Sequence, residues 1–203
     1  MAEIFPGVFR EGKRLYTIYD NKQRDWNPEK SKLAAAILNG MKEMTIKDGS
    51  IILYLGASTG TTVSYISDIV GKKGIIYAIE FSERVFHSLL DLSEKRRNIA
   101  PLLADTRKPE TYSWIEQCDI LYIDVAQPDE TAIAIRNAKM FLKKDGIVYI
   151  AIKSQSIDVT KDPKRVYKEE SEKLRASGFE ILQLIDLEPY EQKHGMIVAK
   201  SID

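Results

Sequence analysis

The feature that most constrains this chain is a regular alternation of short apolar runs with amphipathic segments, which begins at Ser50 and continues almost to the last residue. The first run, Ile51–Leu55, is apolar at every position, as expected of a strand buried on both faces of a sheet. Segments of helical periodicity separate this run from the next ones. Such alternation predicts an α/β fold, in which a mostly parallel sheet carries helices on both faces.

The pattern predicts seven strands, at residues 51–55, 75–79, 99–103, 120–124, 146–152, 179–187 and 196–200. It predicts helices between them, at residues 61–70, 83–95, 111–117, 129–141 and 163–176. Only a loop at 189–195 joins the last two strands. Because this loop is too short for a helical crossover, we expect the last strand to be antiparallel, near the sheet edge.

The first 25 residues have a different character. Segments 4–10 and 15–19 are rich in β-branched and aromatic residues, and the turn residues around Gly12 separate them, which predicts a β-hairpin. After it, Pro28 suits the first turn of a helix that we expect to continue to about Met44. We therefore divide the chain into a hairpin region, residues 1–25, and a domain of residues 26–203.

Composition excludes several classes of protein. Thirty basic residues balance 30 acidic ones, so the chain does not coat nucleic acid by charge alone. Cys118 is the only cysteine; we expect it to be buried, and a lone thiol fits a reducing compartment. The apolar runs are too short to span a membrane, and the first residues do not resemble a signal peptide. We expect a cytoplasmic protein that contacts no membrane and, with two scattered histidines, holds no metal.

Three features at successive strand ends predict an adenosine site. The loop after the first strand carries Gly56 and Gly60, which allow a tight turn and a close approach of the backbone. Glu80 ends the next strand, 20 residues beyond Gly60, where an acid can hold both ribose hydroxyls. Asp105 ends the third strand and can accept a hydrogen bond from an adenine amino group, while Phe81 can stack on the base. Taken singly, either acid is better explained as a cap of the helix that follows, and it is the three features together that favour the adenosine site.

Two charged residues close the fourth and fifth of these strands, Asp124 after an apolar triplet and Lys153 after another. A lysine is costly to bury without a carboxylate partner. Because adjacent strand ends meet at one edge of the sheet, we expect Asp124 and Lys153 to lie within reach of each other. The pair is either a salt bridge that closes the sheet or part of a catalytic site.

Four segments resemble one known family, the archaeal fibrillarin-like ribose 2′-O-methyltransferases. They are residues 26–36 (WNPEKSKLAAA), 54–62 (YLGASTGTT), 123–128 (IDVAQP) and 151–153 (AIK). The resemblance implies a Rossmann-like S-adenosylmethionine-dependent methyltransferase fold and methyl transfer to ribose 2′-hydroxyls of rRNA and tRNA. It also implies a catalytic set of Lys32, Asp124, Lys153 and His194.

The same resemblance implies S-adenosylmethionine as the cofactor, with contacts at Thr61, Thr62, Glu80, Phe81, Asp105, Asp124 and Gln127. We add Gly56, Ala57 and Gly60 from the loop after the first strand, and Thr106, which follows Asp105. The implied partners are a Nop-family scaffold, a kink-turn-binding ribosomal-type protein and a box C/D guide RNA that selects the rRNA or tRNA target. Our hypothesis is that Lys153 orients or deprotonates the 2′-hydroxyl, Asp124 positions Lys153 and the methyl donor, and Lys32 stabilises developing negative charge.

The residues alone leave three other functions open: a small-molecule O-methyltransferase such as a catechol type, a stand-alone RNA 2′-O-methyltransferase, and a non-catalytic adenosine-binding scaffold. The first usually needs Mg²⁺ held by oxygen ligands, and no Asp-Asn pair accompanies Asp124. The near-zero net charge disfavours the second, and the third leaves Asp124 and Lys153 unexplained.

A basic segment follows Lys153. The residues Lys161, Lys164, Arg165 and Lys168 either flank the catalytic mouth and meet RNA phosphates, or form an ordinary solvated helix face. Asp158 and Asp162 dilute the charge, so we expect feeble, salt-dependent binding of free RNA.

Overall fold

A computed structural model describes residues 2–202, and it begins with a four-stranded antiparallel sheet. Its strands are β1 (Ala2–Phe5), β2 (Val8–Glu11), β3 (Arg14–Tyr19) and β4 (Lys22–Asp25). The predicted hairpin across Gly12 is confirmed as the β2–β3 pair. The single predicted strand 4–10 is wrong, because Pro6 has no N–H to donate and Gly7 turns the chain at a φ of 70°. A second unpredicted turn, Asp20-Asn21, has positive φ at both residues and adds β4.

A short helical segment links this sheet to the rest of the molecule. A 3₁₀ turn at Pro28–Lys30 precedes helix α1 (Lys32–Leu38). The prediction that this helix continues to about Met44 is wrong. It ends at Leu38 because Gly40 takes a φ of 94°, outside the helical region.

The main sheet has the seven predicted strands, in the order β10-β11-β9-β8-β5-β6-β7. The strands are β5 (Ile51–Leu55), β6 (Ile75–Glu80), β7 (Ile99–Leu103), β8 (Cys118–Ile123), β9 (Leu142–Lys153), β10 (Phe179–Asp186) and β11 (His194–Ser201). β5 to β9 are mutually parallel. β11 inserts between β9 and β10 and is antiparallel to both, which confirms the predicted antiparallel last strand.

Helices cover both faces of this sheet. They are α2 (Thr61–Val70), α3 (Glu83–Lys95), α4 (Glu130–Phe141), α5 (Ser154–Ile157) and α6 (Pro163–Arg175). Ile52 and Tyr54 of β5 pack with the helices α1 to α3, whereas Leu53 and Leu55 face α4 and α6. This alternation explains why β5 is apolar at every position. Two details differ from prediction: a 3₁₀ turn at Pro109–Tyr112 replaces the helix expected at 111–117, and α5 was not predicted.

A buried charge cluster attaches the N-terminal sheet to the main body. The carboxylate of Asp68, on α2, pairs with the guanidinium of Arg24 and accepts a hydrogen bond of 2.6 Å from the hydroxyl of Thr17. Its other oxygen lies 2.5 Å from the guanidinium of Arg96, which stacks over the ring of Tyr19. The two sheets are therefore joined by charged contacts as well as by apolar packing.

Three further expectations concern the chain as a whole. Cys118 is buried as expected, and burial raises the pKa of its thiol to about 12. Within residues 2–202, every helix is too short or too polar to cross a lipid bilayer. The division at residues 1–25 and 26–203 stays a prediction, and its outer ends, residues 1 and 203, lie outside the described residues. Residue 1 is also the first residue of the segment that we compared with signal peptides.

Candidate active site

The parallel strands β5 to β9 all end at the same edge of the sheet, here called the carboxyl edge, and the loops that follow them meet there. Gly56 directly follows β5 with a φ of 82°. A Cβ at Gly56 would lie 2.4 Å from the backbone oxygen of Asp124, so only glycine lets these two loops approach. The glycine thereby fixes where Asp124 sits relative to the first loop.

Glu80 ends β6 with its carboxylate held in place by the backbone. One oxygen, Oε2, accepts the N–H of Ser58 at 2.7 Å, and the other, Oε1, accepts the N–H of Ser82 at 2.7 Å. A carboxylate oxygen can accept about two hydrogen bonds. Both oxygens therefore keep acceptor capacity for two neighbouring hydroxyl groups, although the residue itself is only 9% exposed.

A pocket of about 250 Å³ lies along the carboxyl edge between these loops. Seven of the predicted cofactor residues line it, namely Gly56, Glu80, Phe81, Asp105, Thr106, Asp124 and Gln127. Ala57, Gly60, Thr61 and Thr62 are not in its lining. Phe81 is 71% exposed and presents an open aromatic ring at the pocket.

Two of the predicted residues outside the lining have structural surroundings of their own. Gly60 precedes α2 with a φ of 83°, and a Cβ there would lie 2.5 Å from the side chain of Leu92 on α3. The buried hydroxyl of Thr62 donates to the hydroxyl of Ser31 at 3.1 Å. These contacts give both residues a role in packing the loop, and their role in cofactor binding stays a prediction.

Sequence reasoning missed two polar residues of this lining, Ser58 and Arg107. The guanidinium of Arg107 donates to the side-chain oxygen of Gln127, and its backbone N–H donates to Asp105 at 2.9 Å. Arg107 thus ties the loop after β7 to the loop after β8. Its position two residues beyond Asp105 could have identified Arg107 as a pocket residue, because residues that closely follow the end of a parallel strand lie at the carboxyl edge.

The carboxylate of Asp124 pairs with Lys32. The Lys32 Nζ lies 2.9 Å from one carboxylate oxygen and 3.1 Å from the other. Burial lowers the pKa of Lys32, but Asp124 more than offsets it through charge and hydrogen bonding, so the pKa of Lys32 is raised above its usual value. Lys32 therefore remains positively charged at neutral pH at the carboxyl edge.

Asp124 and Lys153 follow adjacent strands, but they form no ion pair in the described part of the chain, so the salt-bridge interpretation of this pair is wrong. Among residues 2–202, the Nζ of Lys153 has no carboxylate within 4.0 Å, and Asp124 is engaged by Lys32. Lys153 ends β9 directly opposite His194 of β11 in the antiparallel register. Cross-strand partners project from the same face of a sheet, so the side chains of Lys153 and His194 are neighbours.

His194 is held in one orientation by its own loop. Its Nδ1 lies 2.7 Å from the backbone oxygen of Gln192. Burial lowers the pKa of His194, and the charges of Lys32 and Lys153 lower it further against the opposing effect of Glu191 and of the Gln192 contact. Because a carbonyl oxygen only accepts, the neutral ring carries its proton on Nδ1 and leaves Nε2 as an acceptor. This Nε2 is buried and has no hydrogen-bond partner among residues 2–202.

Glu130, a third residue missed from sequence, lies in the first turn of α4 next to this site. It is fully buried, and its Oε1 accepts the backbone N–H of Lys153 at 3.1 Å. Acids in the first turn of a helix are commonly exposed and explained by the helix dipole, so nothing in the sequence pattern singled out Glu130.

Most of the basic segment beyond Lys153 is neutralised by nearby acids. Lys161 and Arg165 both pair with Glu169, at 2.7 Å and 3.0 Å. Lys164 lies 4.0 Å from a carboxylate oxygen of Asp186, whereas Lys168 is exposed and has no ion pair within residues 2–202. The segment is therefore closer to a solvated helix face than to a concentrated positive patch.

Comparison with known proteins gives consistent matches along the chain. The family model described as Fibrillarin matches residues 2–203. The fibrillarin-like rRNA/tRNA 2′-O-methyltransferase of Saccharolobus solfataricus is 51% identical over 198 residues, which covers 97% of this chain and 85% of the relative.

Two solved structures are similar over nearly the same extent. Aeropyrum pernix fibrillarin, in complex with natively bound S-adenosyl-L-methionine, has a TM-score of 0.83 and 44% identity, covering 92% of this chain and 88% of its own. A fibrillarin/Nop5p complex contains a chain with a TM-score of 0.91 and 40% identity, covering 98% of this chain and 99% of its own.

Proposed function

Because this chain belongs to the fibrillarin family, we propose that it transfers a methyl group from S-adenosylmethionine to ribose 2′-hydroxyls of rRNA and tRNA. The observation that carries the proposal is the meeting of Lys32, Asp124, Lys153 and His194 at the carboxyl edge, beside a pocket with adenosine-like chemistry. The enzyme is an S-adenosylmethionine-dependent methyltransferase with a Rossmann-like sheet.

The pocket residues fit the cofactor. Glu80 keeps acceptor capacity for the two ribose hydroxyls, and Asp105 offers an acceptor for the adenine amino group. The exposed ring of Phe81 offers a stacking face for the base, and the absence of a Cβ at Gly56 keeps the backbone close to Asp124. We propose that the other predicted residues of these loops also contact the cofactor, namely Ala57, Gly60, Thr61, Thr62, Thr106, Asp124 and Gln127.

The bound cofactor supplies an activated methyl group, so the chain's own residues need only align the acceptor oxygen and lower its proton affinity. Lys153, which has no ion pair among residues 2–202, orients or deprotonates the 2′-hydroxyl. Lys32 is held as a cation by Asp124 and stabilises the negative charge that develops on the oxygen. The unprotonated Nε2 of His194, next to Lys153, is a second acceptor for the proton. Asp124 thus positions Lys32, where we had expected it to position Lys153.

We propose that the enzyme acts within a ribonucleoprotein. A Nop-family scaffold is the best-supported partner, because a similar chain was solved in a fibrillarin/Nop5p complex. A kink-turn-binding protein and a box C/D guide RNA complete the proposed assembly. The neutralised charge around Lys161 and Arg165 supports this arrangement, since the chain itself has little unpaired positive surface near the site for holding free RNA.

The test is methyl transfer from labelled S-adenosylmethionine to a guide-matched RNA, with and without the other assembly components. We expect label on the matched RNA only with the full assembly, and none when the target position carries a 2′-deoxy sugar. Label retained on the deoxy RNA would reject ribose methylation. Transfer without guide RNA would indicate a stand-alone enzyme, and label only on small molecules would reject the RNA substrate.

A site variant tests the roles within the same assay. Lys153→Ala removes the group that we assign to the acceptor hydroxyl and leaves the cofactor pocket untouched. We expect methyl transfer to fall by at least about a hundredfold, in the range typical of a lost acid–base group, while cofactor affinity stays within about twofold. Calorimetric titration with the cofactor measures the second quantity. Turnover like that of the unaltered protein would remove Lys153 from the mechanism.

A further inference from the structure

Glu130 has an unusual environment for an acidic side chain. It is 0% exposed, and the only hydrogen bond of its side chain within residues 2–202 is the one that Oε1 accepts from the backbone N–H of Lys153. The other oxygen, Oε2, is buried and has no hydrogen-bond partner in the described part of the chain. A buried carboxylate normally has a cation or several donors around it, because an uncompensated buried charge is very costly.

The charged groups around Glu130 do not supply such compensation. Lys32 on α1 is engaged by Asp124, and Asp124 itself repels a charge on Glu130. Glu170 on α6 is also buried, repels Glu130, and takes Lys173 as its partner at 2.7 Å. On β9 the backbone N–H of Lys153 bonds to Glu130, while the Nζ lies beyond ion-pair distance.

From this geometry we propose that Glu130 is a positioning residue for methyl transfer: as a neutral carboxylic acid it accepts the N–H of Lys153 and holds the end of β9, and with it the Lys153 side chain, at the carboxyl edge. The proposal rests on the proposed function, in which Lys153 acts on the acceptor hydroxyl. Glu130 acts only through Lys153 and is not assigned a contact with cofactor or RNA.

The neutral form agrees with the electrostatics of the site. Burial raises the pKa of Glu130 to about 9 against the opposing hydrogen bond from the Lys153 backbone, and the negative charges of Glu170 and Asp124 act in the same direction as burial. The side chain is therefore protonated at neutral pH. Above about pH 9 it ionises, and a second anion then appears beside Asp124, facing Lys32 and Lys153. That anion attracts the Lys153 side chain and draws it away from the acceptor hydroxyl.

Two substitutions separate the hydrogen bond from the charge. Glu130→Gln keeps a side-chain oxygen of the same shape and never ionises, whereas Glu130→Met fills a similar volume without an acceptor. Measured in the complete guide-RNA assembly near neutral pH, we expect kcat to stay within about twofold for Glu130→Gln. For Glu130→Met we expect kcat to fall about tenfold or more, because a small displacement of a reacting group is costly. The KM for S-adenosylmethionine should change in neither.

The pH profile is the measurement that a merely structural role would not change. The ratio of kcat for Glu130→Gln to kcat for the unaltered protein should be about one near neutral pH and should rise as pH increases through about 9. Glu94→Gln is the matched control, because Glu94 is an exposed acid on α3, away from the carboxyl edge. Its kcat ratio should stay constant over the whole range.

Two further readouts need no turnover. One carboxyl signal in ¹³C NMR of glutamate-labelled protein should titrate near pH 9 and be missing in Glu130→Gln. Amide hydrogen exchange at Lys153 should speed up in Glu130→Met and stay slow in Glu130→Gln.

The outcomes distinguish the two proposals. A kcat ratio for Glu130→Gln that does not vary with pH, or a carboxyl signal that titrates at an ordinary glutamate value, would overturn the role of Glu130. Unchanged kcat in a folded Glu130→Met would do the same, and if that variant does not fold, the Glu130→Gln profile still decides. Absence of methyl transfer by the unaltered assembly would instead reject the proposed function.

Discussion

Three residues at the carboxyl edge have protonation states fixed by their surroundings at neutral pH. The ion pair with Asp124 raises the pKa of Lys32 and keeps it charged, burial lowers the pKa of His194 and keeps it neutral, and burial keeps Glu130 protonated. The edge therefore combines one paired cation with two uncharged groups next to Lys153. This distribution suits a site that must stabilise a developing oxyanion while leaving room for a proton acceptor.

The buried Glu130 also makes a stability prediction. In the unfolded chain a glutamate titrates near 4.5, whereas the pKa of folded Glu130 is about 9, so between these values only the folded state holds the extra proton. The unfolded state releases that proton as pH rises, and folding stability is lost progressively across the window. Glu130→Gln has no such proton. We expect it to be more stable than the unaltered protein by on the order of 1 kcal/mol per pH unit above about 4.5.

Urea unfolding at a series of pH values from about 5 to about 9 measures this difference. Glu94→Gln is again the control, because an exposed acid should give a difference within about 0.5 kcal/mol at every pH. A gain in the free energy of unfolding of Glu130→Gln that is the same at all pH values would show that Glu130 is not protonated in the folded protein.

At the residue scale, the sequence predicted which side chains stand at strand ends but not which of them pair. Glu80, Asp124 and Lys153 follow apolar runs, and the period of the pattern alone locates them. The partner of Asp124 is Lys32, 92 positions away along the chain, and only the packing of α1 against the sheet decides that choice. Glu130 was missed for the same reason, since its burial depends on α6 and β9.

At the scale of elements, the site depends on two loops that touch through their backbones. Gly56 after β5 and Asp124 after β8 approach so closely that no side chain fits between them. We therefore expect the loop that begins at Gly56 and the loop that begins at Asp124 to shift together.

Gly56→Ala tests this contact against a matched glycine. Gly12, in the β2–β3 turn, also has a positive φ, 59°, but a Cβ there would meet nothing within 4 Å. Gly12→Ala should cost only the conformational strain, about 1 kcal/mol. Gly56→Ala should cost at least about 2 kcal/mol more, and should weaken S-adenosylmethionine binding at least about tenfold because Asp124 must shift.

Urea unfolding and calorimetric titration give both quantities for each variant. Equal losses of stability in the two variants, or cofactor affinity unchanged in a folded Gly56→Ala, would show that the loops adjust independently.

Helices and strands with strong periodicity were predicted closely, and α2 and α3 have the predicted bounds. The errors fall where single residues override a pattern. Pro6 and Gly7 interrupt a run rich in strand-forming residues, and Gly40 ends α1 although apolar residues continue to Met44. The order of the sheet strands, with β11 inserted beside β9, depends on long-range pairing that periodicity does not encode.

At the scale of the whole molecule, the N-terminal sheet shares its core with the methyltransferase sheet. Val8 and Leu15 pack in the same apolar cluster as Leu33 and Ile66. Trp26, at the junction, stacks on Tyr65 of α2 with ring centroids 5.1 Å apart. A four-stranded sheet with so few buried residues of its own depends on this contact, so we propose that residues 2–25 fold together with the rest of the chain.

The charge cluster around Asp68 allows that proposal to be tested. The Asp68 side chain is 1% exposed and compensates two arginines, Arg24 and Arg96. In Asp68→Ala both arginines lose their partner, and Arg96 is itself buried, so we expect a loss of about 3–5 kcal/mol. The control is Asp48→Ala, which breaks the pair with Lys73 in which both side chains are more than half exposed. That variant should lose less than about 1 kcal/mol.

Unfolding in urea is followed by circular dichroism, which reports all elements, and by fluorescence of Trp26 in a Trp114→Phe background, which reports the junction between the sheets. If the two sheets form one cooperative unit, both signals shift together in Asp68→Ala and keep a common midpoint, because neither sheet can bury its apolar face after the other is lost. A Trp26 transition at lower urea than the circular dichroism transition would mean that the N-terminal sheet detaches first, and the division near residue 25 would then be a true domain boundary.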